Sequence, residues 1–287
     1  MSSGVAKTVL RRDRIVVLSG LALITALSWA YVASLASDMR NVEMAWEMSM
    51  PQVQAWDGAN LALTFVMWAV MMVAMMTPSA APMILMFAGV NRRRREQQVP
   101  YVPTAVFLAG YLVVWAAFSV LATAAQWGLH ALSLLSPMMV STSPVLGGIL
   151  LLIAGIYQWT PFKHACLSKC RSPLGFVLNE WREGRWGALL MGLKHGGYCT
   201  GCCWSVMALL FVAGVMNLVW VGTIAGFVLL EKVFPAGHRM GQAAGVLMVA
   251  GGVVLVGLAL WGGMQPEMTP GMEPAPEMEP MPDMESM

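Results

Sequence analysis

Charged residues are scarce in this sequence. Only 11% of its 287 residues are Asp, Glu, Lys or Arg, whereas a soluble globular domain carries about a quarter. Hydrophobic residues make up 58%. The composition therefore excludes an ordinary water-soluble domain. It predicts an all-α, polytopic bundle of membrane-spanning helices whose surroundings are the lipid bilayer.

Motifs for energy coupling and nucleic-acid binding are also lacking. The sequence has no Walker A motif and no aspartyl-phosphate motif, so the chain alone is not expected to pump a solute. The basic run Arg92–Arg95 is interpreted as an anchor at the anionic inner face of the membrane, and nucleic acid is not predicted as a partner. No catalytic residue stands out, which favours a non-enzymatic role.

Seven apolar runs approach the roughly 20 residues that a helix needs to cross a bilayer. The second and fifth exceed one straight crossing, so we expect each to kink or to extend beyond the bilayer. A basic N-terminus (1–14) and a tail (264–287) flank this transmembrane domain (15–263). The predicted spans are 15–36, 60–90, 102–127, 145–161, 187–215, 218–236 and 241–262.

Basic residues alternate between the connections. Lys and Arg occur before the first span and in the second, fourth and sixth connections, whereas Arg40 is the only one in the first, third and fifth. The positive-inside rule then predicts a cytoplasmic N-terminus and an external C-terminus. The first run is long for a signal peptide and is expected to remain as an uncleaved anchor.

Cysteine is limited to five residues, all between positions 166 and 203 on the predicted cytoplasmic side. The odd number and this location argue against a disulfide framework. With two of the four histidines, the cysteines form two groups that could face each other across an antiparallel helix pair. The groups are His164, Cys166 and Cys170 after the fourth span, and His195, Cys199, Cys202 and Cys203 inside the fifth.

The second group has helical spacing. His195, Cys199 and Cys202 lie at i, i+4 and i+7 and therefore share one helix face, with Cys203 beside them. Imidazole and thiolate are ligands for zinc, copper(I) or iron–sulfur clusters. Three glycines in the same stretch weaken a helix and predict a local break like those that form ion sites in transporters. Metal binding is favoured over a redox thiol site or simple packing.

Methionine is unusually abundant, with 26 residues. The tail after residue 263 holds seven Met, six acidic residues and six Pro in 24 positions. It is predicted to be disordered and to capture copper(I) through its soft thioethers; the alternative is a low-complexity solubilising tail. The candidate ligands there are Met264, Met268, Met272, Met278, Met281, Met284 and Met287.

A second set of methionines follows helical spacing in the second span. Met67, Met71 and Met75 lie at i, i+4 and i+8 and are candidates for a metal path, although Met also packs well against lipid or protein. Pro78 and Pro82 free backbone carbonyls midway along this span and predict a kink there.

Two stretches carry a family resemblance. MMVAMMTPSAAPM (71–83) and GLKHGGYCTGCCWSVM (192–207), together with the short HAC run after the fourth span, resemble a family of uncharacterised bacterial integral membrane proteins described as predicted metal-binding. The resemblance covers roughly residues 60–236. It implies a metal site within a membrane protein and supplies no substrate or reaction.

Three functions compete at this stage. The first is copper(I) handling, by uptake, transfer or delivery to a membrane copper enzyme, with such an enzyme or a copper chaperone as a possible partner. Copper is favoured over zinc mainly because of the methionine-rich tail. The second is a thiol–disulfide oxidoreductase that uses Cys199 and Cys202, with Cys166 and Cys170 as partner pair. The third is a zinc-stabilised assembly subunit of a membrane complex.

Overall fold

A computed structural model of the chain describes residues 3–46, 57–98, 100–132 and 143–263. This part of the chain is helical and contains no strand, which confirms the all-α prediction for it. The helices are α1 (Ser3–Trp46), α2 (Gly58–Glu96), α3 (Thr104–Ala131), α4 (Pro144–Tyr157), α5 (Pro161–Arg171), α6 (Pro173–Glu180), α7 (Gly184–Ala208), α8 (Leu210–Ala213), α9 (Leu218–Val233) and α10 (Gly237–Gly263).

Five segments of the described chain are long and apolar enough to cross a membrane: Arg14–Asp38, Gly58–Glu96, Thr104–Ala131, Gly184–Ala213 and Gly237–Trp261. They correspond to the first, second, third, fifth and seventh predicted spans. The fourth becomes α4 and α5, which meet at a 65° bend and are long enough only as a pair. Because α9 has only 16 residues, the count of seven spans and the orientation derived from it stay predictions.

Helix α2 continues through both of its prolines. Pro78 has no N–H to donate to the carbonyl of Ala74, and the indole Nε1 of Trp29 on α1 donates to that carbonyl at 3.1 Å instead. In lipid a freed carbonyl needs such a partner. The hydrogen bond thereby joins α1 to the centre of α2, the point where sequence reasoning expected a kink.

Glycines bring α3 and α7 into close contact. A Cβ at Gly192 would overlap the carbonyl of Phe107, and one at Gly196 would lie 2.9 Å from the side chain of Val114. The break predicted in this glycine-containing stretch does not form, because α7 is continuous from Gly184 to Ala208. Small residues at a helix contact let two backbones approach, so these glycines serve packing here.

A buried polar cluster joins α5 to α9 at one end of the bundle. The Lys163 ammonium lies 2.5 Å from a carboxylate oxygen of Glu231, and both side chains are at most 2% exposed. Lys163 also donates to the amide oxygen of Gln158, just after α4. A buried pair needs such additional hydrogen bonds to offset its desolvation. The cluster fixes where α9 lies, and therefore where the neighbouring Lys232 points.

Candidate metal centre

Helix α7 is the most enclosed of the candidate spans. In the most apolar 18-residue stretch of this span, 56% is buried inside the protein, compared with 17% for the stretch in α1 and 11% for that in α10. It carries Cys199, Cys202 and Cys203, whose side chains are at most 1% exposed. The second predicted ligand group therefore lies in the protein interior, away from lipid.

Four thiols from two helices meet at this point. The thiols of Cys202 and Cys203 donate to the carbonyl oxygen of Cys199 at 3.1 and 3.0 Å. Cys170 reaches the same place from α5, where its side chain lies close to those of Cys199 and Cys202. Cys170 is only half-buried, so it forms the open edge of the cluster. We call these four residues the thiol cluster.

A lysine that the sequence did not single out points into the thiol cluster. The Nζ of Lys232, on α9, lies 2.9 Å from the Cys199 sulfur and 3.1 Å from the hydroxyl oxygen of Ser79 on α2. The lysine is 8% exposed. An ionisable side chain within a membrane protein interior marks a functional site by default, and here its nearest anionic candidate is a thiolate.

Two aromatic-ring side chains complete the enclosure. The Tyr111 hydroxyl lies 3.2 Å from the Cys199 sulfur and donates to the carbonyl of Met76 at 3.1 Å. The imidazole of His195 stacks on Tyr111 and Phe107, with ring centroids 5.7 and 6.1 Å apart. Its Nδ1 is buried and has no hydrogen-bond partner within the described part of the chain. His195 is thus a spare nitrogen donor one turn before Cys199.

The first predicted group, His164, Cys166 and Cys170, lies on α5, and its members point to different sides of that helix. Cys166 and Cys170 are one turn apart in α5, whereas His164 lies about 200° around the helix from Cys166 at about 100° per residue. Cys166 is buried against Gly201 of α7. His164 instead packs against His238 at the start of α10, with ring centroids 4.1 Å apart. The structure therefore places His164 outside the thiol cluster.

The side chains as they stand do not surround a common point. Among the described residues, no group of three or more His, Cys, Asp or Glu side chains is arranged to hold a metal ion. The thiols of Cys202 and Cys203 are instead directed at the Cys199 carbonyl oxygen. All five cysteines are free, so none of their sulfurs is held in a disulfide.

The predicted methionine path is buried in the bundle. Met67, Met71 and Met75 of α2 are at most 5% exposed, so they pack inside the protein and do not face lipid. The same helix supplies the Met76 carbonyl that Tyr111 bonds beside Cys199. The buried thioethers of Met67, Met71 and Met75 therefore lie on the same helix as the Met76 carbonyl, which is next to the thiol cluster. The tail methionines Met264, Met268, Met272, Met278, Met281, Met284 and Met287 lie outside the described residues.

Sequence reasoning missed Lys232 and Tyr111 as neighbours of Cys199, and Ser79 as a partner of Lys232. One signal was available, since Glu231 and Lys232 interrupt the apolar run of the sixth predicted span. Charged residues within such runs usually face a partner or a site. Tyr111 and Ser79 offered no comparable signal, because single hydroxyl groups are common in membrane helices.

Comparison with protein families relates the chain to copper chaperones. The family model PpoB2, a copper chaperone, matches residues 65–255, about two thirds of the 287-residue chain. The chain belongs to this copper chaperone family. No curated protein and no solved structure matches it.

The family match covers the helical part of the chain. The matched region runs from α2 into α10 and contains all seven predicted Cys and His ligands and the three α2 methionines, but it excludes the 264–287 tail. The sequence-based assignment of copper relied mainly on that tail. The family match therefore supports the same metal from a separate part of the molecule.

Proposed function

We propose that this protein is an integral membrane copper(I) chaperone of a bacterial cytoplasmic membrane. It holds copper(I) on the thiol cluster and delivers it to a membrane copper enzyme or to another copper chaperone. The observation that carries this proposal is the convergence of the Cys170 thiol and the three α7 thiols beside the Lys232 ammonium. The family match supports copper as the cargo.

The donor set suits copper(I). Thiolates are soft ligands that select copper(I), zinc and iron–sulfur clusters, and in the thiol cluster they are buried where water competes little. Each thiol that becomes a ligand gives up its proton as the metal binds. His195 adds a neutral nitrogen donor beside the cluster, whereas Cys166 packs against Gly201, outside the four-thiol cluster.

Charge makes the interior location workable. One copper(I) ion on two thiolates has a net charge of minus one, which is costly in a low-dielectric interior. Lys232, 2.9 Å from the Cys199 sulfur, supplies the compensating positive charge. The lysine therefore acts as a positioning residue that stabilises the loaded state through Cys199.

Delivery requires an exposed ligand at which a partner can attack. Cys199, Cys202 and Cys203 are enclosed, whereas Cys170 is half-buried on α5. We assign Cys170 to the exchange step, in which an incoming donor of the partner replaces its thiolate on copper(I). Met67, Met71 and Met75 are proposed as the internal path that leads copper(I) along α2, and the 264–287 methionines as its first capture site.

Metal content of the purified full-length protein tests the proposal. Wild type is compared with a Cys199/Cys202/Cys203→Ser variant and with a chain truncated after Gly263, each loaded anaerobically with copper(I) and measured by mass spectrometry. We expect copper in the wild type, loss in the triple variant and retention in the truncated chain, with slower loading if the tail captures the metal.

A matched pair on α5 tests the exchange step. Cys170→Ser should slow copper transfer to a chelator, while Cys166→Ser removes a thiol one turn away on the same helix and should leave the transfer rate unchanged. Zinc in the purified protein with no uptake of copper(I) would contradict the proposal and favour the assembly subunit. A chain that binds no metal but forms a Cys199–Cys202 disulfide would favour the oxidoreductase.

A further inference from the structure

A groove on the outside of the bundle, between helices that carry no cysteine, has the features of a lipid site. It lies between α1, α2 and the start of α6, encloses about 850 Å³ and is lined by Arg14, Leu174 and one long face of α2. Its α2 residues recur at intervals of three and four, as expected for one side of a helix. The groove therefore runs along the axis of a candidate membrane span.

The wall of this groove is apolar along most of its length. From Pro78 through Pro82 and Leu85 to Gly89, the α2 face carries no charged side chain. These positions span about 16 Å at about 1.5 Å per residue, close to the half-thickness of a hydrocarbon core about 30 Å thick. The apolar part of the groove thus matches one acyl chain of a single leaflet.

Three arginines close the groove at one end. Arg92 and Arg93 follow the apolar face on α2, and Arg14 approaches from α1. No acidic side chain of the described residues lines the groove. This end is the predicted cytoplasmic end of both helices, where basic pockets between transmembrane helices bind anionic lipid headgroups.

The next two arginines of the same run have protein partners. Arg94 pairs with Glu183 at 2.7 Å and lies over the ring of Trp181, and Arg95 lies over the ring of Tyr101. By contrast, Arg93 is exposed at the mouth of the groove. Arg94 and Arg95 are therefore directed at protein side chains, whereas the Arg93 side chain is accessible from the groove.

We infer that this groove binds one anionic phospholipid, with an acyl chain along the Pro78–Gly89 face and the phosphate at Arg14, Arg92 and Arg93. The inference rests on the membrane location in the proposed function and is independent of copper binding. The complementary charge and the leaflet-length apolar wall together select a phospholipid over a soluble anion or a second copy of the chain.

Native mass spectrometry of the full-length protein in non-ionic detergent tests this inference. The probes are dioleoyl phosphatidylglycerol, dioleoyl phosphatidylcholine with the same acyl chains, and glycerol 3-phosphate as a headgroup without chains. We expect one phosphatidylglycerol to bind at least tenfold more tightly than phosphatidylcholine, and glycerol 3-phosphate not to compete at equal concentration. Equal binding of the two lipids, or full competition by glycerol 3-phosphate, would overturn the inference.

Matched arginine variants separate the groove from general surface charge. Arg92→Gln/Arg93→Gln should weaken phosphatidylglycerol binding on the order of tenfold, since a basic residue near a membrane surface contributes about 1 kcal/mol to attraction for anionic lipid. Arg94→Gln/Arg95→Gln removes the same charge from the same run and should leave binding unchanged. Equal losses in both double variants would overturn the assignment to the groove.

A glycine variant tests the apolar wall without changing charge. A Cβ at Gly89 meets nothing within 4 Å, so Gly89→Leu fills the groove without a clash inside the protein. It should abolish the single tight site, whereas Gly226→Leu, at an equally open position on α9, should not. Tight binding that persists in Gly89→Leu would contradict the placement of the acyl chain. Copper uptake in both variants reports the proposed function separately.

Discussion

Replacing Lys232 by glutamine should weaken copper(I) binding more than any other single change of charge in the chain. The lysine Nζ lies 2.9 Å from the Cys199 sulfur and 3.1 Å from the Ser79 hydroxyl. Glutamine, whose side chain is one atom shorter, keeps a hydrogen-bond donor but removes the positive charge. The variant therefore tests the charged contact with Cys199.

The size of the effect follows from the hydrogen bond and the charge it carries. A hydrogen bond to a charged group contributes about 1.5–3 kcal/mol, and about 1.4 kcal/mol corresponds to a tenfold change in a dissociation constant. The copper(I)–dithiolate unit loses this contribution, whereas the metal-free thiols are neutral and lose much less. We expect copper(I) to bind roughly 10- to 150-fold more weakly.

Anaerobic competition against a copper(I) chelator measures this difference. Lys194→Gln is the matched control, because Lys194 lies on α7 itself but is 42% exposed and pairs with Glu180 at 2.6 Å. It should leave the affinity within about twofold of wild type, since an exposed pair contributes little. Equal affinities for the Lys232→Gln and Lys194→Gln variants would refute the role assigned to Lys232.

Three further predictions concern the fold and its charges. Lys163→Met should lower the free energy of unfolding by about 3–5 kcal/mol, because it leaves Glu231 buried without its partner; thermal unfolding in detergent should show partial recovery in Lys163→Met/Glu231→Leu. Gly192→Leu should lower the melting temperature by forcing α3 away from α7, whereas Gly197→Leu, with no atom within 4 Å of its Cβ, should not. Lys194 lowers the pKa of the Glu180 carboxyl through their hydrogen bond. The pair therefore adds stability above the ordinary carboxyl pKa and loses it as the pH falls through the lowered value, a dependence that Lys194→Gln should remove from melting temperatures measured against pH.

Helical phase could be read from the sequence wherever the helix itself was recognised. His195, Cys199 and Cys202 share one face because they lie at i, i+4 and i+7 in a helix that the apolar composition already predicted. The region 162–186 was predicted as a cytoplasmic loop, although α5 and α6 occupy most of it. Because α5 was not predicted, the sequence could not show that His164 lies on a different side of a helix from Cys166 and Cys170.

Local propensity led the prediction for the α7 glycines in the wrong direction. Glycine destabilises an isolated helix, so three glycines near Cys199 predicted a break. In a bundle that excludes water a break would leave backbone groups without partners, and one of the three, Gly196, instead lets the intact helix pack closely against Val114 of α3. The outcome depended on α3, which lies about 80 positions earlier in the chain.

The sequence by itself determined the helical class, the main apolar spans, the soft donors and the shared face of His195, Cys199 and Cys202. These follow from composition and from the 3.6-residue period, which are properties of a single chain segment. Only the tertiary structure decided that Cys170 joins the α7 thiols, that His164 leaves them for His238, and that Lys232 lies against Cys199. Those contacts arise from the packing of α5, α7, α9 and α10 against one another, and the angle and depth of such packing are set by side chains far apart in sequence.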